Sequence, residues 1–309
     1  MVDISVVTVS WNAKAYLLEC LESIARTAGG LSVETIVVDN NSTDGSPDAV
    51  MKAFPDVRLV RSRENLGFAR GNNLGMRSAT GRYVFLINSD VKILDGCLES
   101  LVAYLEVHPK VGMVAPRILN AYLRLQLNCR QFPGVRNALC EMIGLPNLFP
   151  RSTACSGTFM HWWAHDTELS VDVLSGCFWA VRCEALEQVG GLDESFFIYG
   201  EDGDWCKRFR QAYWGVSFYP GAHAIHYGGA SSANAPVRFY VEMQKAKLQY
   251  WKKHHGRLGM AFCWLLIALH QTTRLVSRAL LYMVPPTSRS ENAFKLKRSL
   301  SCIRWVFRV

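Results

Sequence analysis

Three carboxylates fall within four residues in Tyr199-Gly200-Glu201-Asp202-Gly203-Asp204-Trp205. Charges of one sign held that close repel, unless a cation, a proton-transfer task or a helix N-terminus accounts for them. The spacing suits a division of labour. Asp204 is expected to cap or begin a helix over Trp205–Arg210, while Asp202 points into a cleft. A carboxylate placed there can take a proton from an attacking hydroxyl. A second acidic position closes an apolar run, in Ile87-Asn88-Ser89-Asp90. A carboxylate at the end of a strand is well placed to hold Mg2+ or Mn2+ against two phosphates. The triplet also reads as an ordinary turn. Asp39 ends another apolar run, where it could accept a hydrogen bond from the N–H of a pyrimidine ring, or simply form a turn. His226, in His223-Ala224-Ile225-His226-Tyr227-Gly228-Gly229, follows the short strand Val216–Tyr219 and is a candidate metal ligand.

The elements that must position these residues alternate. Ile4–Val9 is β-branched and reads as a strand. Leu17, Leu18, Leu21, Ile24 and Ala25 fall on one helical face. Thr35–Val38 is a second strand, stopped by a loop from Asp39 to Ser46, and Ser46-Pro47 suits a helix start. Val57–Val60, Tyr83–Ile87 and Val111–Val114 are further strands, with helices expected over Phe68–Ala79 and Leu94–Val107. The alternation predicts a doubly wound, mostly parallel sheet, whose ligands bind beyond the carboxyl ends of the strands. The loops after Val9, Val38 and Ile87 should therefore converge. Asn120–Ser170 has no period and reads as an excursion over the site. Regular signals return at Val171 and continue to about Tyr227.

The chain has 309 residues, half of them hydrophobic, with ten scattered cysteines and no CxxC pair. Reduced thiols in a cytoplasmic setting are expected, and the first residues carry no secretory pattern. The net charge of +8 is uneven. Residues 238–309 hold fourteen Lys or Arg and two Glu, a balance of +12, whereas residues 1–237 carry −4. A tail this basic suits an anionic partner. Arg238–His255 reads as an amphipathic helix, and the apolar run Met260–Leu269 is about half the ~20 residues of a span. The apolar character resumes at Leu275-Val276 and Ala279–Val284. A helix lying on a membrane surface fits better than one crossing it. Packing against the rest of the chain is the plainer alternative. No nucleic-acid partner is expected, since no recognised module accompanies the charge, and the oligomeric state is left open.

Taken in order, several segments resemble glycosyltransferase family 2, the inverting enzymes of GT-A fold, and its rhamnosyltransferase-like branch. They are Val9-Ser10-Trp11-Asn12, Val38-Asp39-Asn40-Asn41-Ser42-Thr43-Asp44-Gly45-Ser46, Glu64-Asn65-Leu66-Gly67-Phe68-Ala69-Arg70-Gly71-Asn72-Asn73 and Phe85-Leu86-Ile87-Asn88-Ser89-Asp90. Leu174-Ser175-Gly176-Cys177, Gly190-Gly191-Leu192-Asp193-Glu194, Tyr199–Asp204 and His226-Tyr227-Gly228-Gly229 complete the set, which spans roughly residues 3–230. The resemblance implies that Thr8, Asn12, Asp39 and Asn41 border a nucleotide. It implies that Asn65, Gly67, Asn72, Asn88, Ser89 and Asp90 line a donor pocket, and that Gly176, Glu201 and Trp205 lie on the acceptor side. It gives Asp202 the part of catalytic base and Asp90 the metal position, with His226 as a helper. The family's first metal-site aspartate is Asn88 here, a poorer ligand. The implied layout is a catalytic domain over 1–237, with a nucleotide-sugar half to about residue 115 and an acceptor half over 116–237, followed by a basic helical tail over 238–309. The implied reaction moves a sugar, from dTDP-rhamnose or next a UDP-sugar, to a glycan or lipid-linked acceptor, with a divalent metal. A peripheral position on the cytoplasmic face of a membrane follows from the tail.

Two rivals stand beside this expectation. A sugar nucleotidyltransferase would need a Gly-rich basic loop after the first strand, which Val9-Ser10-Trp11-Asn12 is not. A non-catalytic nucleotide-sugar sensor or membrane scaffold would not require Asp90, Glu201, Asp202 and His226 together.

Overall fold

The structure is a computed structural model that describes residues 2–229, 232–282 and 289–307. Met283-Val284, at the end of the second apolar run of the tail, lies outside them. The chain forms two compact units, Met1–Phe197 with Glu201–Ser231, and Ile198–Gly200 with Ser232–Val309.

The first unit begins with β1 (Ile4–Ser10), α1 (Lys14–Arg26), β2 (Val33–Asp39), α2 (Ser46–Ala53), β3 (Arg58–Arg61), α3 (Gly67–Met76) and β4 (Tyr83–Ile87). β1 pairs in parallel with β2 and β4, and β2 with β3. Ile4, Val6 and Val7 are fully buried, as are Ile36–Val38, because helices cover both faces of these strands. On α1, Leu17, Cys20, Leu21 and Ile24 recur at helical spacing and are buried.

The unit continues with β5 (Val91–Ile93), α4 (Cys97–Val107), β6 (Val111–Leu119) and β7 (Cys129–Arg130). Next come α5 (Val135–Met142), α6 (Leu145–Leu148), β8 (Leu169–Ser170), β9 (Val173–Leu174), β10 (Phe178–Arg182), α7 (Cys183–Val189), α8 (Glu201–Gln211) and β11 (Gly215–His226). The main sheet runs β3-β2-β1-β4-β10-β6-β11-β5, with β8 on β11, and β7 pairs with β9 in a small second sheet. β10 enters antiparallel between β4 and β6, and β5 lies antiparallel on β11. The sheet is therefore mixed, with a parallel run over β3-β2-β1-β4 and a further parallel pair, β6 with β11. The excursion is not structureless: it holds β7, α5, α6 and β8.

Two of the boundaries that move bear on the site. The acidic helix starts at Glu201, so Glu201, Asp202 and Asp204 all lie in the first turn of α8. The positive helix N-terminus favours them there. The strand expected over Val216–Tyr219 extends to His226, through a register shift between Tyr219 and His223 that absorbs Pro220-Gly221.

The second unit holds α9 (Pro236–Tyr282) and α10 (Arg289–Val306). Gly256 has φ 68° and breaks α9 into two helices. They fold back on each other, since the Gln271 amide donates to the Tyr240 hydroxyl at 2.6 Å and Trp251 meets Phe262 with ring centres 5.6 Å apart. α10 joins them through the Trp264 indole, which donates to the Val306 carbonyl at 2.9 Å, and through Arg298 over the Tyr240 ring. Among the described residues, no helix is long and apolar enough to cross a membrane.

Candidate active site

Register alone brings the expected loops together. Ser10 lies opposite Asp39, and Asp39 opposite Arg61, so β1, β2 and β3 end at one edge. β4 ends there too, and its Ile87 faces Phe178, the first residue of β10. Val91 lies opposite His226. The consequence is a contact that sequence separation hides: His226 Nε2 is 3.2 Å from Asp90 Oδ1. The Gln126 amide meets the other ring nitrogen, Nδ1, at 2.9 Å. An imidazole anchored on one side and aimed at a carboxylate on the other is the usual setting of a metal-binding histidine. Rotating the Gln126 amide exchanges donor for acceptor, so it can serve either tautomer.

The three acids of α8 sort into three environments. Asp204 is fully buried and pairs with Arg208 at 2.9 Å; Arg208 also donates to the carbonyls of Val189 and Gly191. That pair fastens α8 to the chain after α7. Glu201 is buried, and its Oε2 has no hydrogen-bond partner. Burial, and then the charge of Asp202, push its carboxyl up to about 8. Asp202 takes the Gly203 N–H at 2.7 Å and forms an ion pair with Arg130. Of the three acids, Asp202 is the one that is not buried, and it is held beside the Arg130 guanidinium.

The segment Gln126–Arg130, which ends in β7, ties the two halves of the site. Gln126 touches His226, the Asn128 carbonyl receives the Ser175 N–H at 2.8 Å, and Arg130 reaches Asp202. Cys177 lies between: its carbonyl receives the Asn88 N–H at 3.0 Å. Burial pushes its thiol up to about 12, followed by the charge of Asp90 and, lower in order, that of Asp202. The backbone of Asn88 also accepts from Val91 and from the Cys20 thiol, so Ser89 and Asp90 sit in a tight, buried turn.

The loops after β1 and β2 are laced together. The Asn12 N–H donates to Ser42 Oγ at 3.0 Å, and Asn12 Oδ1 accepts the Thr43 N–H at 2.7 Å. Asp44 caps α1 by accepting the Lys14 N–H at 2.9 Å. Partial burial opposes the charge of Asp44, but hydrogen bonds from Ser46 and then Lys14 hold its carboxyl below the usual range. Asn12 and Asn41 adopt φ of 50° and 65°, a conformation that asparagine tolerates better than most residues. Asp39 stays beside its own turn, 3.3 Å from the Ser42 N–H. Asn65 accepts from both Asn40 Nδ2 and the Gly67 N–H, each at 3.0 Å, and Asn40 also binds the Leu66 N–H and the Gly67 carbonyl. Asn40, not marked by the sequence, is thus the organiser of this loop.

Among the expected contact residues, Thr8, Asn72 and Trp205 are buried, and Gly176 is half-buried. Thr8 is fully buried in β1 beside the Cys20 thiol. Asn72 is buried and donates to the Phe68 carbonyl one turn earlier in α3. Trp205 is core: its indole donates to the Gly190 carbonyl, and its ring packs on Trp179 and Phe209. Gly176 packs closely on Trp179 and Phe68. Periodicity shows that such residues sit on ordered elements but not which way they turn. Arg130 and Gln126 went unmarked because they lie in the aperiodic excursion, where no local signal distinguishes them.

The residues present suit a divalent cation with incomplete protein ligation. One carboxylate and one imidazole stand close enough to share an ion. Among the described residues, no cluster of three or more His, Cys, Asp or Glu side chains is arranged to hold one. Remaining positions would fall to diphosphate oxygens and water.

The profile described as glycosyl transferase family 2 matches residues 5–160. The chain is 28% identical over 263 residues to the N-acetylglucosaminyl-diphospho-decaprenol L-rhamnosyltransferase of Mycobacterium tuberculosis (strain ATCC 25618 / H37Rv), covering 81% of this chain and 84% of that protein. It is 25% identical over 228 residues to the low-salt glycan biosynthesis hexosyltransferase Agl10 of Haloferax volcanii, covering 72% and 67%. The solved structure of the mannosyltransferase PcManGT from Pyrobaculum calidifontis, in complex with GDP-Man and Mn2+, matches with a TM-score of 0.55 at 18% identity, covering 97% of this chain and 86% of that one. With the mixed sheet and its ordered edge, these likenesses identify the chain as a glycosyltransferase of GT-A fold that belongs to glycosyl transferase family 2.

Proposed function

We propose that this enzyme inverts the anomeric centre of a nucleotide-diphosphate sugar as it passes the sugar to a hydroxyl of a lipid-linked saccharide. The observation that carries the reading is the sorting of the acids on α8: Glu201 and Asp204 are buried, whereas Asp202 keeps some exposure and pairs with Arg130. Asp202 Oδ2 is the base. It takes the hydroxyl proton as the acceptor oxygen bonds to the anomeric carbon and the carbon–oxygen bond to the diphosphate breaks. Arg130 holds the carboxylate in place until an acceptor competes for it. Asp90 and His226 would hold a divalent cation, whose charge offsets that developing on the leaving diphosphate. The loops that carry Asn12, Asp39 and Asn41 receive the base and ribose. The donor is a dTDP-rhamnose type of sugar, with UDP-sugars next, supported by the rhamnosyltransferase among the relatives. The basic tail docks the enzyme on an anionic membrane surface, where lipid-linked acceptors reside.

The test separates binding from chemistry. Asp202→Asn is expected to keep the donor- and Mn2+-dependent rise in thermal midpoint and to lose transfer by a factor of about 100 or more. Asp90→Asn is expected to lose the Mn2+-dependent part of that rise. Near-normal turnover in Asp202→Asn would remove it as the base, and donor binding without transfer to any acceptor by the native enzyme would make the chain a sensor.

A further inference from the structure

α5 is amphipathic the wrong way round. Its buried positions are Asn137 and Cys140. The Asn137 amide donates to Gln131 Oε1 and the Phe132 carbonyl, and the Cys140 thiol points to the Ala154 carbonyl. Its exposed apolar positions are Val135, Leu139, Met142 and, at its end, Ile143, which recur at i, i+4, i+7 and i+8 along one face. Leu148 and Phe149, just beyond, are 70% and 54% exposed. An isolated exposed leucine needs no explanation, but a contiguous face of this kind marks an interaction site. The polar bonds beneath the helix hold it in this orientation, so the apolar face is not a misplaced core.

The other side of the helix is tied to the active site. Glu141, on α5, accepts the Thr158 N–H at 2.7 Å, and Thr158 accepts the Gln131 N–H at 2.8 Å. Half-exposed Phe159 then bridges the backbone of Arg130, whose guanidinium holds Asp202. Exposed Arg136 and Arg151 flank the apolar side chains, the pairing of bulky apolar groups with basic ones that suits an interface of headgroups and acyl chains. We infer that the face of α5, with Leu148 and Phe149, inserts into the hydrocarbon edge of a bilayer, so that Asp202 meets the headgroup of a membrane-borne acceptor. This contact is apolar and local, and differs from the charge attraction of the tail. The identity of the acceptor rests on the transfer reading above, but the insertion does not.

The full chain is mixed with phosphatidylcholine vesicles that carry a photoreactive acyl chain, illuminated, and mapped by peptide mass spectrometry. Adducts within 135–149 that persist at high salt are expected. The double variant Leu139→Ser/Ile143→Ser, altered only at exposed positions, should reduce those adducts by roughly tenfold while donor hydrolysis in solution is unchanged. Absence of adducts from 135–149, or equal adducts in the variant, overturns the inference. So does a native chain that dimerises without lipid and becomes monomeric in the double variant, which would make the face a contact between copies. Loss of hydrolysis in native enzyme would instead count against the transfer reading.

Discussion

Glu201 is enclosed, lacks a partner for one oxygen and lies next to Asp202, so both burial and a like charge keep it protonated. The consequence for stability has a definite sign. The folded carboxyl is raised to about 8 from the ordinary 4.5. Between those values the native state binds a proton that the unfolded state has released, so stability falls as pH rises. Its stabilisation is complete below the unfolded value and is lost through the folded one. Glu201→Gln mimics the protonated form and cannot ionise. Its melting temperature, measured from pH 5 to 8.5, is expected to decline less steeply than that of the native enzyme, with the variant gaining most at the alkaline end. Parallel curves would show that Glu201 gains no proton on folding. Arg130 belongs to the same argument, since its guanidinium pairs with Asp202. Nothing at the level of residue type distinguished it from the many other arginines of the chain.

Elements were legible where they repeat and obscure where they are short. β1, β2 and β4 announce themselves as buried β-branched runs, and α1 as a period of apolar residues. β5 has three residues, and β7 and β9 have two each, too few to show any period. Their existence depends on partners up to 135 positions away, as between Val91 and His226. The antiparallel entry of β10 is likewise a property of the assembled sheet, since a buried strand reads the same in either direction. Asp90 and Asp202 could thus be singled out locally, whereas Gln126 and Arg130 needed β7 to be placed on β9. The turn that leads into α3 allows a controlled test of element geometry. Gly67 has φ +77°, and an added Cβ would stand 2.3 Å from the Phe197 carbonyl oxygen. Gly96, before α4, has φ +75° with nothing within 4 Å. Gly96→Ala should cost about 1–2 kcal/mol for the left-handed backbone alone. Gly67→Ala carries that cost plus the clash and shifts the loop of Asn40 and Asn65. Its thermal midpoint should fall further than that of Gly96→Ala, and the donor-dependent rise in midpoint should shrink only in Gly67→Ala. Equal effects of the two substitutions would show that the close approach at Gly67 is not needed.

Charge separates the molecule more sharply than any boundary of structure, because residues 238–309 carry +12 and residues 1–237 carry −4. The second unit spreads its basic residues over α9 and α10. Along the second half of α9 it also exposes Leu258, Leu265, Leu269 and Val276, whose spacings of seven, four and seven keep them on one face. Attraction of such a surface to anionic lipid decays within a Debye length and is screened by salt. Each Lys or Arg near the membrane contributes about 1 kcal/mol. Lys252 and Arg257 are both exposed on either side of the break at Gly256. Replacing both by Gln should therefore weaken binding to vesicles containing phosphatidylglycerol by roughly 30-fold at low salt. Binding by native enzyme should weaken steadily as salt is added, whereas the α5 contact should not. Donor hydrolysis should be untouched, because neither residue lies in the unit that carries Asp90 and Asp202. Co-sedimentation across a salt series measures all of this in one experiment. If the double variant bound as tightly as native enzyme at low salt, the basic surface would be a solvated face and not a membrane dock.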